Sequence, residues 1–187
     1  MDAETLENVL KKIQQGDISV SDAMNQLKFF SYDDIGHTKI DDHREYRTGY
    51  PEVIYCSGKT PVQVKEIFEA MQGKDVNIIA TRANRETYEE VHRAIPEAEY
   101  HEMARIITLK KKEIRYVKTS ISIVSAGTSD MPVAEEAAVS ADFFGNPVKR
   151  FYDVGVAGIH RLQKNIKDIN DARGIVVIGG MEGALHS

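Results

Sequence analysis

Cysteine is nearly absent from this chain. A single thiol, Cys56, in 187 residues rules out an internal disulfide framework and leaves no CxxC or Cys/His spacing from which a zinc site could be built. Long apolar runs are missing too: no stretch approaches the ~18 residues that a membrane-spanning helix needs. Positive charge is in deficit, with 24 lysines and arginines against 29 acids and a net charge of −5. That argues against nucleic acid as the main partner, because a phosphate backbone is met by a basic footprint. It leaves room for an anionic small ligand held by local dipoles. The chain opens acidic and polar, Met1-Asp2-Ala3-Glu4, without a signal-peptide core, so the expected location is the cytoplasm. What is present is an ordinary globular composition, 42% hydrophobic and 28% charged, enough for one large domain or two small ones.

Periodicity divides the chain into three parts, with boundaries at 1–30, 31–117 and 118–187. In the first, Leu6, Val9, Leu10 and Ile13 form one apolar stripe at helical spacing. Gly16 and Asp17 interrupt it, and Ser19 with Asp22 three residues on reads as the capped start of a second helix. Residues 31–51 are polar and read as a solvated acidic connector. Their aspartates and His37 and His43 invite a metal reading, but no EF-hand or histidine spacing is present. From Tyr50 strands and helices alternate: a strand at 52–56, a helix at 61–71, a strand at 76–80, a helix at 84–95 and a third strand at 99–109. This predicts a small parallel α/β unit. A second such unit follows, with strands at 120–126, 148–154 and 174–178, a helix at 132–144 that carries Pro132 near its start, and a helix at 159–172.

Ligands of open parallel sheets gather outside the C-terminal strand ends. In the second unit that rule selects three loops: Ala126-Gly127-Thr128-Ser129-Asp130, then Asp153-Val154-Gly155-Val156-Ala157-Gly158 with Ile159-His160-Arg161, then Gly179-Gly180-Met181-Glu182-Gly183. Each places glycines and polar or ionisable groups at the mouth of a helix, where free N–H groups favour phosphate or carboxylate. Ser129 and Asp130 are candidates for capping and for touching a ligand, His160 for moving a proton or pairing with a phosphate, and Glu182 for a general base. The bland alternative is that Thr128, Ser129 and Asp130 are helix caps and Asp153 a turn residue. Other motifs fail. Gly58-Lys59-Thr60 follows a strand, but a phosphate loop would need glycine at position 53, where Val53 stands; Lys59 is kept as a candidate for facing a phosphate. No Gly-x-Ser-x-Gly elbow occurs. Cys56, beside Val53, Ile54 and Tyr55, reads as a small buried hydrophobe.

Four blocks, 125–137 (SAGTSDMPVAEEA), 152–161 (YDVGVAGIHR), 180–185 (GMEGAL) and 47–55 (RTGYPEVIY) with Gly58-Lys59-Thr60, together resemble the nickel-pincer-cofactor carboxylases, the pyridinium-3,5-biscarboxylic acid mononucleotide synthases. The C-terminal domain of that family is similar to the phosphoribosylaminoimidazole carboxylases (N5-CAIR mutases). The resemblance covers roughly residues 45–187. It implies a small N-terminal α/β domain followed by a three-layer, flavodoxin-like parallel α/β/α domain that is incomplete here. It also implies a reaction: carboxylation of the pyridinium ring of nicotinic acid adenine dinucleotide at C5 by carbon dioxide, with hydrolysis of the phosphoanhydride to release AMP. A divalent cation such as Mg2+ would assist, without an organic cofactor, in a homo-oligomer. By motif, Glu182, His160 and Asp130 would be catalytic. Gly127, Thr128, Ser129, Asp153, Gly155, Arg161, Gly180 and Lys59 would bind substrate. The family's nucleophilic cysteine lies beyond the GMEGAL block. The chain therefore reads as C-terminally truncated and impaired, and Cys56 does not match that position. Two alternatives stand beside this: a purine-pathway aminoimidazole ribonucleotide carboxylase or mutase, and a nucleotide-binding fragment without chemistry.

Overall fold

The structure is a computed structural model that describes residues 3–27, 33–40, 50–74, 76–181 and 183–186. The chain forms two compact units, Met1–Glu52 and Val53–Ser187. In the first, α1 (Ala3–Gln15) and α2 (Val20–Leu27) pack on one another, with Val9 and Ala23 buried. Ser19 caps α2 as its sequence predicts: its hydroxyl accepts the Asp22 amide at 3.1 Å and donates to the Asp22 carboxylate at 2.6 Å. Among its described residues the acidic connector carries a minimal ladder, β1 (Asp33–Asp34) against β2 (Lys39–Ile40). His43 and the aspartates at 41 and 42 lie outside the described residues.

The second unit contains two sheets. The first is built from β3 (Val53–Tyr55), β4 (Ile78–Thr81), β5 (Glu99–His101) and β6 (Ile106–Leu109), in the order β3-β4-β6-β5. Only β3 and β4 run parallel; β6 is antiparallel to both β4 and β5. This corrects the wholly parallel unit expected from the sequence. The run at 99–109 is not one strand but a hairpin, turning where the Arg105 amide donates to the Glu102 carbonyl at 3.1 Å. The helices α3 (Pro61–Gln72) and α4 (Arg85–Ala94) begin at side-chain caps. The Thr60 hydroxyl and Gln63 form a reciprocal capping box, and Asn84 accepts the Thr87 amide. Each cap satisfies amides that a helix start leaves without partners.

The second sheet is parallel throughout: β7 (Ile121–Ser125) lies between β8 (Val148–Phe151) and β9 (Gly174–Ile178). Its order, second strand, first strand, third strand, is the flavodoxin-like one. Helices cover both faces, as the alternation of β7 requires. Ile123 packs under Ala134 and Ala138 of α5 (Met131–Phe143), while its neighbour Val124 points the other way, to Ile169 and Leu162 of α6 (Ile159–Asn170). The fold is thus mixed α/β with a three-layer, flavodoxin-like parallel part.

Helix α5 has a second apolar stripe. Phe143, with Val139 and Phe144 beside it, packs against Ile79, Ala104 and Ile106 of the first sheet. One helix is therefore packed between the two sheets, with its alanines to one and its larger residues to the other. It stops at Gly145, whose φ of +79° suits a residue without a side chain and whose Cβ would lie 2.3 Å from the Arg115 carbonyl oxygen.

Within the first sheet His101 accepts or donates a 3.0 Å hydrogen bond with the Thr108 hydroxyl. Burial, foremost, lowers its pKa below the ordinary 6.5. A histidine held neutral in the fold binds its proton more readily once unfolded. The stability it supports is complete above about pH 6.5 and falls as the pH drops through the folded value. Urea midpoints measured from pH 7.5 to 5 should fall with acidification more steeply in the wild type than in His101→Gln.

Candidate active site

The three glycine loops meet at one end of the second sheet, tied by main-chain bonds. The Ala126 amide donates to the Ile178 carbonyl at 2.9 Å, joining the loops after β7 and β9. The Val154 and Gly155 amides donate to the Ser125 and Ala126 carbonyls at 3.0 and 2.9 Å, joining the loop after β8 to the loop after β7. The approach at Gly155 is close: a Cβ there would sit 2.7 Å from the Ala126 carbonyl oxygen. Only glycine lets the two backbones meet. The buried Ser125 hydroxyl accepts from the Asp153 amide at 3.4 Å.

Asp130 is the organiser. It ends the single turn Thr128–Asp130 that leads into α5. One carboxylate oxygen accepts the Gly127 amide at 3.0 Å and the other accepts the Gly180 amide at 3.1 Å. Both oxygens thus hold backbone, one in its own loop and one fifty residues away in the loop after β9. The bond to the Gly127 amide is the capping that the sequence offered for Asp130 beside a catalytic role; the bond to the Gly180 amide is one that the sequence did not suggest. Thr128 and Ser129 lie exposed on the same turn.

In the second loop Asp153 adopts φ +56°, a left-handed conformation that aspartate tolerates better than most residues. Its carboxylate pairs with the Arg161 guanidinium on the first turn of α6. His160, adjacent, is exposed on the same turn. Gly127, Asp130 and Gly180 are therefore brought together, as are Asp153, Gly155 and Arg161, and the two groups share the Ser125–Ala126 backbone. Glu182 lies outside the described residues. Lys59 lies in the turn after β3, where its ammonium donates to the Tyr55 carbonyl at 2.9 Å; among the described residues no bond carries it to the glycine loops.

Sequence reasoning missed how the acids of α5 are used. The Glu135 carboxylate accepts both the Tyr152 hydroxyl at 2.7 Å and the Arg150 guanidinium at 3.1 Å, anchoring the loop after β8. Burial, and then Glu135, push the Tyr152 pKa up, so the phenol remains a donor. Glu136, the next residue, accepts from Arg82 at 2.8 Å. The signal in the sequence was the Glu135-Glu136 pair within an otherwise small and apolar helix.

Among the described residues no group of three or more His, Cys, Asp or Glu side chains gathers to hold a metal. Asp130 is engaged by amides and Asp153 by Arg161. These donors do not fit a divalent ion. Cys56 is buried, and desolvation raises its thiol to about 11 against a smaller opposing pull from Lys59, so it is not a thiolate at neutral pH. No helix among the described residues is long and apolar enough to cross a membrane.

Residues 32–112 match the LarB/PurE-like N-terminal domain. The uncharacterized protein MJ0165 of Methanocaldococcus jannaschii is 35% identical over 196 residues, a match spanning 98% of this chain and 75% of that protein. The chain belongs to the LarB/PurE-like family. A carboxylase or mutase type of chemistry goes with that family. The matched residues of this LarB/PurE-like chain end at 112, ahead of the glycine loops of the second sheet.

The clamp has a measurable cost of removal. Asp130→Ala should lower the unfolding free energy by about 1.5–3 kcal/mol, the range for hydrogen bonds to a charged acceptor. Asp130→Asn, which keeps one acceptor oxygen, should lose less; urea titration of both variants checks this.

Proposed function

We propose that this chain carries the nucleotide-binding loops of an enzyme that carboxylates the pyridinium ring of nicotinic acid adenine dinucleotide at C5 with carbon dioxide and hydrolyses its phosphoanhydride to release AMP, the first step towards a nickel-pincer cofactor. The observation that carries this reading is the convergence of three glycine loops at the switch point of a parallel sheet, between β7 and β9, the place where such sheets take nucleotides. The first turn of α6 and the turn before α5 present main-chain amides there for an anionic group, and Arg161 offers a guanidinium beside them. Thr128 and Ser129 line the first loop, His160 lies beside the second, and Glu182 is the carboxylate proposed to move the C5 proton. Asp130 holds the loops and does not carry the proton.

The chemistry also needs a nucleophile. A thiolate adding to the cationic ring would turn it into an enamine whose C5 attacks carbon dioxide. Loss of the C5 proton and then of the thiolate would restore aromaticity. Cys56, the single cysteine in 187 residues, is buried and protonated. We therefore propose that the 187-residue chain binds the dinucleotide without completing the carboxylation, that it works as a homo-oligomer, and that it is cytoplasmic. A second reading, an aminoimidazole ribonucleotide carboxylase or mutase, is favoured by the PurE-like character of the matched domain.

Calorimetric titration separates these readings. Saturable binding of nicotinic acid adenine dinucleotide, with no response to carboxyaminoimidazole ribonucleotide, is the expected outcome; the reverse preference would favour the purine reading, and neither ligand binding would sink both. Cys56→Ser should bind the dinucleotide as the wild type does. Carboxylated product formed by the wild-type chain and lost in Cys56→Ser would return the nucleophile to Cys56.

A further inference from the structure

Three non-glycine residues among those described have left-handed backbones: Arg82, Arg105 and Asp153. Asp153 is of a type that accepts this conformation, but arginine is not, and a strained residue that persists is held for a reason. Arg82 sits immediately after β4 with φ +58°. Its neighbour Ala83 is pinned, its amide donating to the Arg105 carbonyl at 2.8 Å. Glycine or asparagine would relieve the strain if the turn alone mattered. The side chain supplies the reason for arginine: its Nε donates to Glu136 of α5 at 2.8 Å, and the Glu136 side chain is only 20% exposed.

Glu136 lies six residues beyond Asp130, about 9 Å along the helix at 1.5 Å per residue. The far end of α5 is already set against the first sheet by Phe143. The Arg82–Glu136 pair sets the near end. Because Asp130 leads directly into α5 and must reach the Gly180 amide, a shift of that near end moves the clamp relative to the loop after β9. The first sheet thereby acts on a site to which it contributes no residue.

We propose that Arg82 is a positioning residue: through Glu136 it sets the N-terminal half of α5 so that Asp130 holds the loop after β9 in its ligand-ready place. This rests on the reading of the glycine loops as the dinucleotide site.

Arg82→Gly tests it, because that substitution relieves the backbone strain while deleting the ion pair. The variant is expected to melt no more than slightly below the wild type. Amide exchange at Gly180 should nevertheless quicken by about tenfold, as a local opening that leaves global stability intact, and nicotinic acid adenine dinucleotide should bind about five- to tenfold more weakly, the range of a modest coupling between sites. Glu136→Gln should behave in the same way, and Arg82→Lys should recover part of the loss. Unchanged Gly180 exchange in both Arg82→Gly and Glu136→Gln would overturn the proposal. So would a uniform rise in exchange across α5 and both sheets with a lowered melting temperature, the mark of a general staple. Should the wild type not bind the dinucleotide, the functional reading falls, and the Gly180 exchange rates still decide the role of Arg82.

Discussion

The Asp130 carboxylate is the contact on which the loop cluster depends. A carboxylate can accept from several donors at once, and hydrogen bonds to an ionised acceptor are stronger than neutral ones. Here its two oxygens take one amide from the loop after β7 and one from the loop after β9. Parallel strands bring such loops to the same edge but do not bind them together. Two other acids continue the pattern along α5: Glu135 reaches the end of β8, and Glu136 reaches the end of β4. Three carboxylates in the N-terminal half of one helix and at its cap thus tie down four separate segments. Asp130, at the N-cap, also sits where negative charge is favoured, at the positive end of the helix dipole.

Much of this architecture is legible in the sequence, because its local signals agree with its global fold. Thr60 with Gln63, Asn84 before its helix and Gly145 after α5 each state a boundary in their own chemistry. The strand at Gly174–Ile178 is readable from the β-branched run of Ile175, Val176, Val177 and Ile178. The hairpin of the first sheet was not legible. Hairpin turns are recognised by glycine or asparagine at positions of positive φ, and this one uses Arg105 at φ +53°. Without that mark, 99–109 reads as one strand, and the sheet built on it reads as parallel. The composition of α5 hid its second contact for a related reason. A helix that is apolar on two sides lacks a single stripe, so the periodicity shows a buried helix without showing what it is buried between.

The candidate site was legible at the level of loops and less so at the level of roles. Placing ligands at the C-terminal edge of a parallel sheet is a rule of topology, and the 126–130, 153–161 and 179–183 segments follow from it. Whether an aspartate there holds backbone or moves protons depends on which amides lie within hydrogen-bond reach of it, and strand order decides that. Gly180 is fifty residues from Asp130 in the chain and adjacent to it in space. No spacing rule connects them.

The burial of Cys56 has a practical side. A lone thiol that is buried and held protonated is a silent background for thiol-selective reagents. A cysteine introduced at an exposed position such as Ser129 or Met181 would then react almost alone. The wild-type sequence is in that sense already prepared for a single fluorophore or spin label, and the motion of each glycine loop can be followed separately without first stripping the protein of its own cysteine.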